Sequence, residues 1–273
     1  MLLSRILSSL LLGAILFGAV WSGEPWFSIV VAIAALLGVT EFYAISGQGR
    51  LHPLTVFGTL WTLFFIFNAY YGYDSETTRL IATLGLMASA VLVSLMVFLL
   101  SYGRTRSVTA SWSWSLAGVF YIGFLLSFWV LLMNSPNWEG RDWVLIALIA
   151  NFATDTCAFF TGRALGRHKL APSISPAKTW EGAIGGAAGA VAAVIILGTV
   201  LNAPAGYLLL AGLGLLIGVA AQVGDLAESK LKRMAGVKES GNMIPGHGGI
   251  LDRLDSIVIT GVVVYYFLGW ALG

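Results

Sequence analysis

Between Gly224 and Asp255 the chain sets Asp225, Glu228, Asp252 and Asp255 among Lys230, Lys232, Arg233 and Arg253, around the turn Pro245-Gly246-His247-Gly248-Gly249. Asp225 and Glu228 are three apart, a spacing that puts both carboxylates on one face of a helix, with Ser229 one turn after Asp225 on that face. Asp252 and Asp255 repeat the spacing. Paired carboxylates suit Mg²⁺, which is commonly held by one or two of them together with substrate phosphates. Lys and Arg neutralise phosphate, and the backbone N–H groups of a Gly-rich turn can receive it. The pattern reads as a metal-and-phosphate site, with Asp225, Glu228, Asp252 and Asp255 as candidate metal ligands. The plainer alternative is a set of interfacial charges: Glu228 and Lys232 as an ordinary i,i+4 pair, Asp252 and Asp255 favouring a helix N-terminus. His247 could bind phosphate, act as an acid, or hold the turn.

A second cluster lies upstream. Asn151 and Asp155 are four apart and make a polar stripe in an apolar segment. An acid inside a membrane is a functional candidate by default, the alternative being a hydrogen bond to a neighbouring helix. Arg163, Arg167, Lys169 and Lys178 could neutralise a triphosphate or a lipid head group, although topology alone accounts for some of them. Ser175-Pro176-Ala177-Lys178-Thr179-Trp180-Glu181 reads as a capped helix start, with hydroxyls as N-cap candidates, Glu181 in the first turn and an N-terminus that could also receive phosphate. Glu41 is a lone acid near Arg50 whose role stays open. His52 and His168 read as interfacial residues, and Cys157, the single cysteine, as a packing residue.

The elements that must position these groups are greasy. Of 273 residues 58% are hydrophobic and 10% charged, against about 25% charged in soluble domains. The mean hydropathy is +0.87. The expectation is an all-α, polytopic integral membrane protein, since backbone groups in lipid must be paired within the segment. A span needs about 20 apolar residues. Nine segments qualify as candidates: Ile6–Trp21, Trp26–Ile45, Pro53–Tyr71, Leu80–Tyr102, Trp112–Met133, Trp143–Leu165, Ala183–Leu201, Tyr207–Leu226 and Ile250–Leu272. The first resembles a signal peptide in its apolar run after Arg5, and is read as a retained helix. The 33 glycines suit close helix packing.

Alternate loops differ in basic charge. Thirteen of the fifteen Lys and Arg residues fall at the N-terminus or after segments two, four, six and eight, leaving Arg79 and Arg141 for the other side. The positive-inside rule then places the N-terminus and both basic clusters in the cytoplasm and the C-terminus outside. Ionisable groups concentrate in segments six to nine. A supporting part over 1–140 and a chemical part over 141–273 follow from that distribution.

At these residues the chain resembles the phosphatidate cytidylyltransferase (CDP-diacylglycerol synthase) family. The match is Ser229-x-Leu231-Lys232-Arg233, four residues, Lys238, then Ile244-Pro245-x-His247-Gly248-Gly249-Ile250-x-Asp252-Arg253-Leu254-Asp255. The stretches Gly162-Arg163 and Gly166-Arg167-His168-Lys169-Leu170, then Ser175-Pro176-x-Lys178-Thr179-Trp180-Glu181-Gly182, also look like that family. Glu239 stands where the family usually has Asp, and Phe159 where Tyr is common. The resemblance implies CTP and phosphatidic acid as substrates, CDP-diacylglycerol and pyrophosphate as products, Mg²⁺ with or without a second cation, and a homodimer in a bacterial-type inner or plasma membrane with its active site facing the cytoplasm. It implies metal ligation by Asp225, Asp252 and Asp255 with Glu228 a further candidate, and a catalytic set completed by His247, Lys232 and Arg233. Lys232, Arg233, Lys238 and Arg253 would hold the triphosphate or pyrophosphate. Arg163, Arg167, Lys169, Ser175, Lys178, Thr179, Ser229, Gly248 and Gly249 would meet substrate, and Asp155 would be a ligand or an orienting residue. Nucleic acid is not an expected partner. Two rivals remain: a CTP-dependent polyprenol or phytol kinase, which would release CDP, and a cation or lipid transporter, whose acids would line a pathway.

Overall fold

The structure is a computed structural model describing residues 2–47, 52–100, 108–241, 243–244 and 248–272. Its elements run α1 (Leu2–Ser22), α2 (Trp26–Ile45), α3 (Pro53–Tyr70), α4 (Glu76–Leu100), α5 (Val108–Gly118), a π-helical turn (Val119–Phe124), α6 (Leu125–Met133) and α7 (Gly140–Leu165), then the strands β1 (Lys169–Ala171) and β2 (Ser175–Thr179), and finally α8 (Trp180–Val200), α9 (Tyr207–Met234), α10 (Leu251–Leu254) and α11 (Ile257–Ala271). The all-α membrane architecture holds: eight helices among the described residues are long and apolar enough to cross a membrane. Two of them are composite, Ala110–Met133 and Leu251–Ala271. The remaining expected segment is α1, whose apolar stretch Leu7–Ser22 is shorter than the eight.

The chain forms two compact units, Met1–Leu131 with Glu239–Asp252, and Leu132–Lys238 with Arg253–Gly273. In the first, α2, α3 and α5 close around Tyr43, which is buried. Its hydroxyl donates to the Ser115 carbonyl at 2.9 Å, and the Ser115 hydroxyl donates to the Leu54 carbonyl at 2.7 Å. The phenol fits because Gly118 offers no side chain: a Cβ there would lie 2.5 Å from the Tyr43 ring. The π turn follows at once, and within it Gly123 lies against Thr62 of α3.

The second unit is built on a seam of small residues. A Cβ added to Gly182 or Gly186 of α8 would lie 2.9 Å from the carbonyl oxygens of Ala158 and Thr154 on α7, and one on Gly189 would lie 2.5 Å from Cys157 Sγ. On the other side, Gly218 of α9 meets Ala187 of α8 in the same way. Without a hydrophobic force between helices in lipid, such backbone-to-backbone approach is what binds them. Asn151 of α7 ties in α11: its amide donates to Ser256 Oγ at 2.9 Å and accepts from Thr260 Oγ1 at 3.0 Å.

The capped helix start expected over 175–181 holds, with Thr179 as the cap and Glu181 in the first turn of α8. The residues leading into it, Ser175–Thr179, form the second strand of a hairpin, paired antiparallel with β1 through Lys169↔Thr179 and Ala171↔Ser175. The Thr179 side chain accepts from Gly182 N at 3.1 Å, so the helix starts at Trp180. Two other expectations need correction. Segment eight does not stop at Leu226: α9 continues to Met234, its polar turns joined by the Lys232–Glu228 pair at 2.7 Å. The last span is broken after Leu254, so Asp252 lies in the one-turn α10 and Asp255 in the break before α11 rather than together on one helix face.

Candidate functional site

α7, the hairpin, α8 and α9 frame a cleft of about 400 Å³. Its polar lining is Asp155 and Arg163 from α7, Lys178 and Thr179 from β2, and Gln222 and Asp225 from α9, with Phe159 among the apolar part. Lys178 reaches the cleft because the hairpin returns the chain over the end of α7, and its Nζ lies 2.6 Å from Asp225 Oδ2. The Ser229 hydroxyl donates to the other Asp225 oxygen at 3.3 Å. Gln222 is anchored by its amide, which donates to the carbonyls of Ala183 and Gly218.

The break between α10 and α11 brings Asp255 toward this cleft. A Cβ on Gly224 would collide with the Asp255 carbonyl oxygen and lie 3.1 Å from Ser256 Cα, so the glycine before Asp225 allows α9 to pass directly against the break. The Asp255 side chain accepts from Ser256 N at 2.7 Å. Asp155, Asp225, Glu228 and Asp255 are close enough for their charges to interact, as are Asp155, Lys178 and Arg253. With Lys178, Lys232, Arg253 and the Arg163 that lines the cleft, these four carboxylates are matched by four cations. Glu228 is completely buried and faces Lys232, which makes it an internal partner of that lysine.

A hard divalent cation fits this donor set, because Asp225 and Asp255 present oxygen donors alone. No three His, Cys, Asp or Glu side chains converge on a common metal position among the described residues. Two carboxylates completed by substrate phosphates is the arrangement Mg²⁺ ordinarily uses.

The other expected residues take varied places. Arg167, Lys169 and Lys238 are exposed, and Ser175 stands in β2. Arg233 bonds to backbone, donating to the Val237 carbonyl at 3.2 Å and the Ile174 carbonyl at 3.5 Å, which links the end of α9 to the hairpin turn. At the described end of the Gly-rich turn, Gly249 N donates to Asp252 Oδ2 at 2.9 Å, and just beyond it Leu251 N donates to Glu41 Oε2 at 2.9 Å. Asp252 Oδ2 also accepts from Ser240 N and Oγ, each at 2.9 Å, so this oxygen organises its own loop. Gly248, at φ +81°, permits the reversal that pairs its carbonyl with Ile244 N. His247 lies outside the described residues.

Sequence reasoning missed Gln222 and the work of Glu181. Glu181 accepts from Arg167 N and His168 N and lies 2.6 Å from His168 Nδ1, fixing the corner between α7 and β1. Its position in a capping sequence was the available signal. For Gln222 the signal was a polar residue three before Asp225 on the same helix.

A family model described as "Cytidylyltransferase family" matches residues 3–271. The chain is 46% identical over 155 residues to the phosphatidate cytidylyltransferase of Brucella suis, a match covering 56% of this chain and 56% of that protein's length. It is 36% identical to phosphatidate cytidylyltransferase 5, chloroplastic, of Arabidopsis thaliana, over 89% of this chain and 65% of the plant protein. Against the phosphatidate cytidylyltransferase of Synechocystis sp. it is 33% identical, over 89% and 88% of the two chains.

Proposed function

Given that the chain belongs to the cytidylyltransferase family, we propose that it is a phosphatidate cytidylyltransferase, making CDP-diacylglycerol and pyrophosphate from CTP and phosphatidic acid. The observation that carries the reading is the Lys178–Asp225 pair lining a cleft between membrane-length helices. A phosphate oxygen of the lipid attacks the α-phosphorus of CTP, the bond from that phosphorus to the bridging oxygen breaks, and pyrophosphate leaves. No covalent enzyme intermediate is needed. In-line displacement is limited by charge on the phosphoryl oxygens and by orientation.

The chain's residues meet those demands. Lys178 and Arg163 neutralise phosphate oxygens in the cleft. Asp225 holds Lys178 in place before substrate arrives, and the two part company when a phosphate takes the ammonium. Asp225 and Asp255 would hold Mg²⁺, which when bound supplies charge neutralisation at the transferring phosphate. Asp155 orients the basic groups opposite it. Lys232 is held at the buried Glu228. The basic loops, and with them the cleft, face the cytoplasm, where CTP is, and the enzyme works as a homodimer.

The purified protein should form CDP-diacylglycerol and pyrophosphate from CTP and phosphatidic acid, lose that activity in EDTA and regain it with Mg²⁺. Asp225→Asn and Asp255→Asn should each reduce the rate about 100- to 1,000-fold, the scale set by charge stabilisation of a transition state. Release of CDP in place of pyrophosphate would make the protein a lipid kinase. Full activity in both variants would remove these carboxylates from the chemistry.

A further inference from the structure

Glu41 of α2 is 5% exposed and has no cation beside it in the described first unit. Its Oε2 accepts from Ser240 Oγ and from Leu251 N, both at 2.9 Å, across 199 and 210 residues of sequence. Its Oε1 is buried and has no hydrogen-bond partner among the described residues. Burial of a carboxylate in this way costs free energy and is poor value as a fold stabiliser. Yet the 239–252 loop is shaped to the carboxylate. A Cβ on Gly241 would lie 2.7 Å from Oε1 and 3.0 Å from Cδ, with Cγ 3.4 Å away and no other neighbour as close. A Cβ on Gly249 would strike both Oε2 and Ser240 Oγ. From Ser240 the contacts continue to Asp252, whose Oδ2 receives Ser240 N, Ser240 Oγ and Gly249 N.

We infer that Glu41 is a positioning residue for the transfer reaction: its buried carboxylate is the template on which the described residues between Ser240 and Asp252 are set, and through Ser240 it fixes the orientation of Asp252, one of the carboxylates whose spacing makes it a candidate metal ligand. The inference rests on the proposed cytidylyl transfer for its consequence in rate, and on the loop contacts alone for its consequence in structure. A residue that holds a loop in register controls turnover through small displacements, and a misplacement of about 1 Å costs on the order of 100-fold in rate. The chemistry required of Glu41 is acceptance of two hydrogen bonds at one oxygen, which a glutamine carbonyl of the same length also provides.

The full-length protein in detergent or nanodiscs answers this in two ways. Hydrogen exchange followed by mass spectrometry should show the peptide spanning Leu251 and Gly249 exchanging about tenfold faster or more in Glu41→Ala than in wild type, with α7–α9 peptides unchanged; this readout is independent of activity. In the CTP and phosphatidic acid assay, Glu41→Ala should lower kcat about 100-fold with KM for CTP within about threefold. Glu41→Gln should keep at least about a third of wild-type kcat, whereas Glu41→Asp, one methylene short, should behave like Ala. Gly241→Ala should be impaired, and Glu41→Ala/Gly241→Ala no worse than Glu41→Ala alone, since the methyl then has space. Unchanged exchange in Glu41→Ala, additive losses in the double variant, or equal loss in Gln and Ala would each overturn the assignment. Absence of activity in the wild type itself would instead count against the proposed reaction, leaving the exchange result to decide the role of Glu41.

Discussion

Gly224→Ala tests whether the close pass of α9 against the α10–α11 break sets the spacing of Asp225 and Asp255. The added methyl would collide with the Asp255 carbonyl oxygen and lie 3.1 Å and 3.2 Å from Ser256 Cα and Asp255 C. All three atoms are backbone, so no side chain can rotate away. To reach ordinary van der Waals separation the two segments must part by roughly 1 Å. Overpacking of this kind costs about 1–3 kcal/mol, offset by about 1 kcal/mol from replacing a helical glycine with alanine. The net loss of stability is therefore between about 0 and 2 kcal/mol. The rate should suffer more, because a displacement of about 1 Å between catalytic groups costs on the order of 100-fold. Gly212→Ala supplies the comparison: it lies in the same helix, and its Cβ would have nothing within 4 Å. Thermal unfolding and CDP-diacylglycerol formation measured on both variants should show Gly212→Ala fully active and slightly stabilised, and Gly224→Ala folded but nearly inactive. Full activity in Gly224→Ala, or equal damage in Gly212→Ala, would refute the reasoning.

Three further outcomes follow from the described contacts. Lys178→Met removes the cation at 2.6 Å from Asp225; loss of a charge-assisted contact worth about 1.5–3 kcal/mol should raise KM for CTP or phosphatidic acid about 10- to 100-fold, and unchanged values for both would show that Lys178 meets neither. Thr179→Ala deletes the cap of α8 and should cost about 1 kcal/mol, read as a lower Tm that Thr179→Ser restores. Asn151→Ala strips Ser256 Oγ and Thr260 Oγ1 of their shared partner at a site 1% exposed; it should cost about 1–3 kcal/mol, and an unaltered Tm would mean that the α7–α11 link carries no stability.

The membrane helices were legible because apolar length is a local property, and so was the helix-face logic of Asp225 and Ser229. The small-residue seam was readable in kind, from glycine content, but not in its pairing. What the sequence hid depends on partners far along the chain. The hairpin has strands of three and five residues and contains no apolar alternation to mark it. The break at Asp255 lies against Gly224 of α9, a neighbour no window around 250–256 contains. Glu41 stayed open for the same reason: its partners are Ser240 and Leu251. The turn at Gly248 and Gly249 showed its flexibility in sequence, but not that a carboxylate would accept from Gly249 N.

α9 has 28 residues and so measures about 42 Å at 1.5 Å per residue, against a hydrocarbon core of about 30 Å. From Tyr207, an exposed aromatic of the kind that settles at a membrane interface, to Asp225 is about 27 Å. The helix thus acts as a depth gauge. For the proposed reaction this length would carry Asp225 to the far boundary plane, where a substrate confined to two dimensions and one diffusing in three can collide, with the last turns reaching beyond the hydrocarbon. Inserting a single residue before Asp225 would shift that carboxylate by about 1.5 Å in depth and about 100° around the axis, separating the two supplies even with every side chain intact.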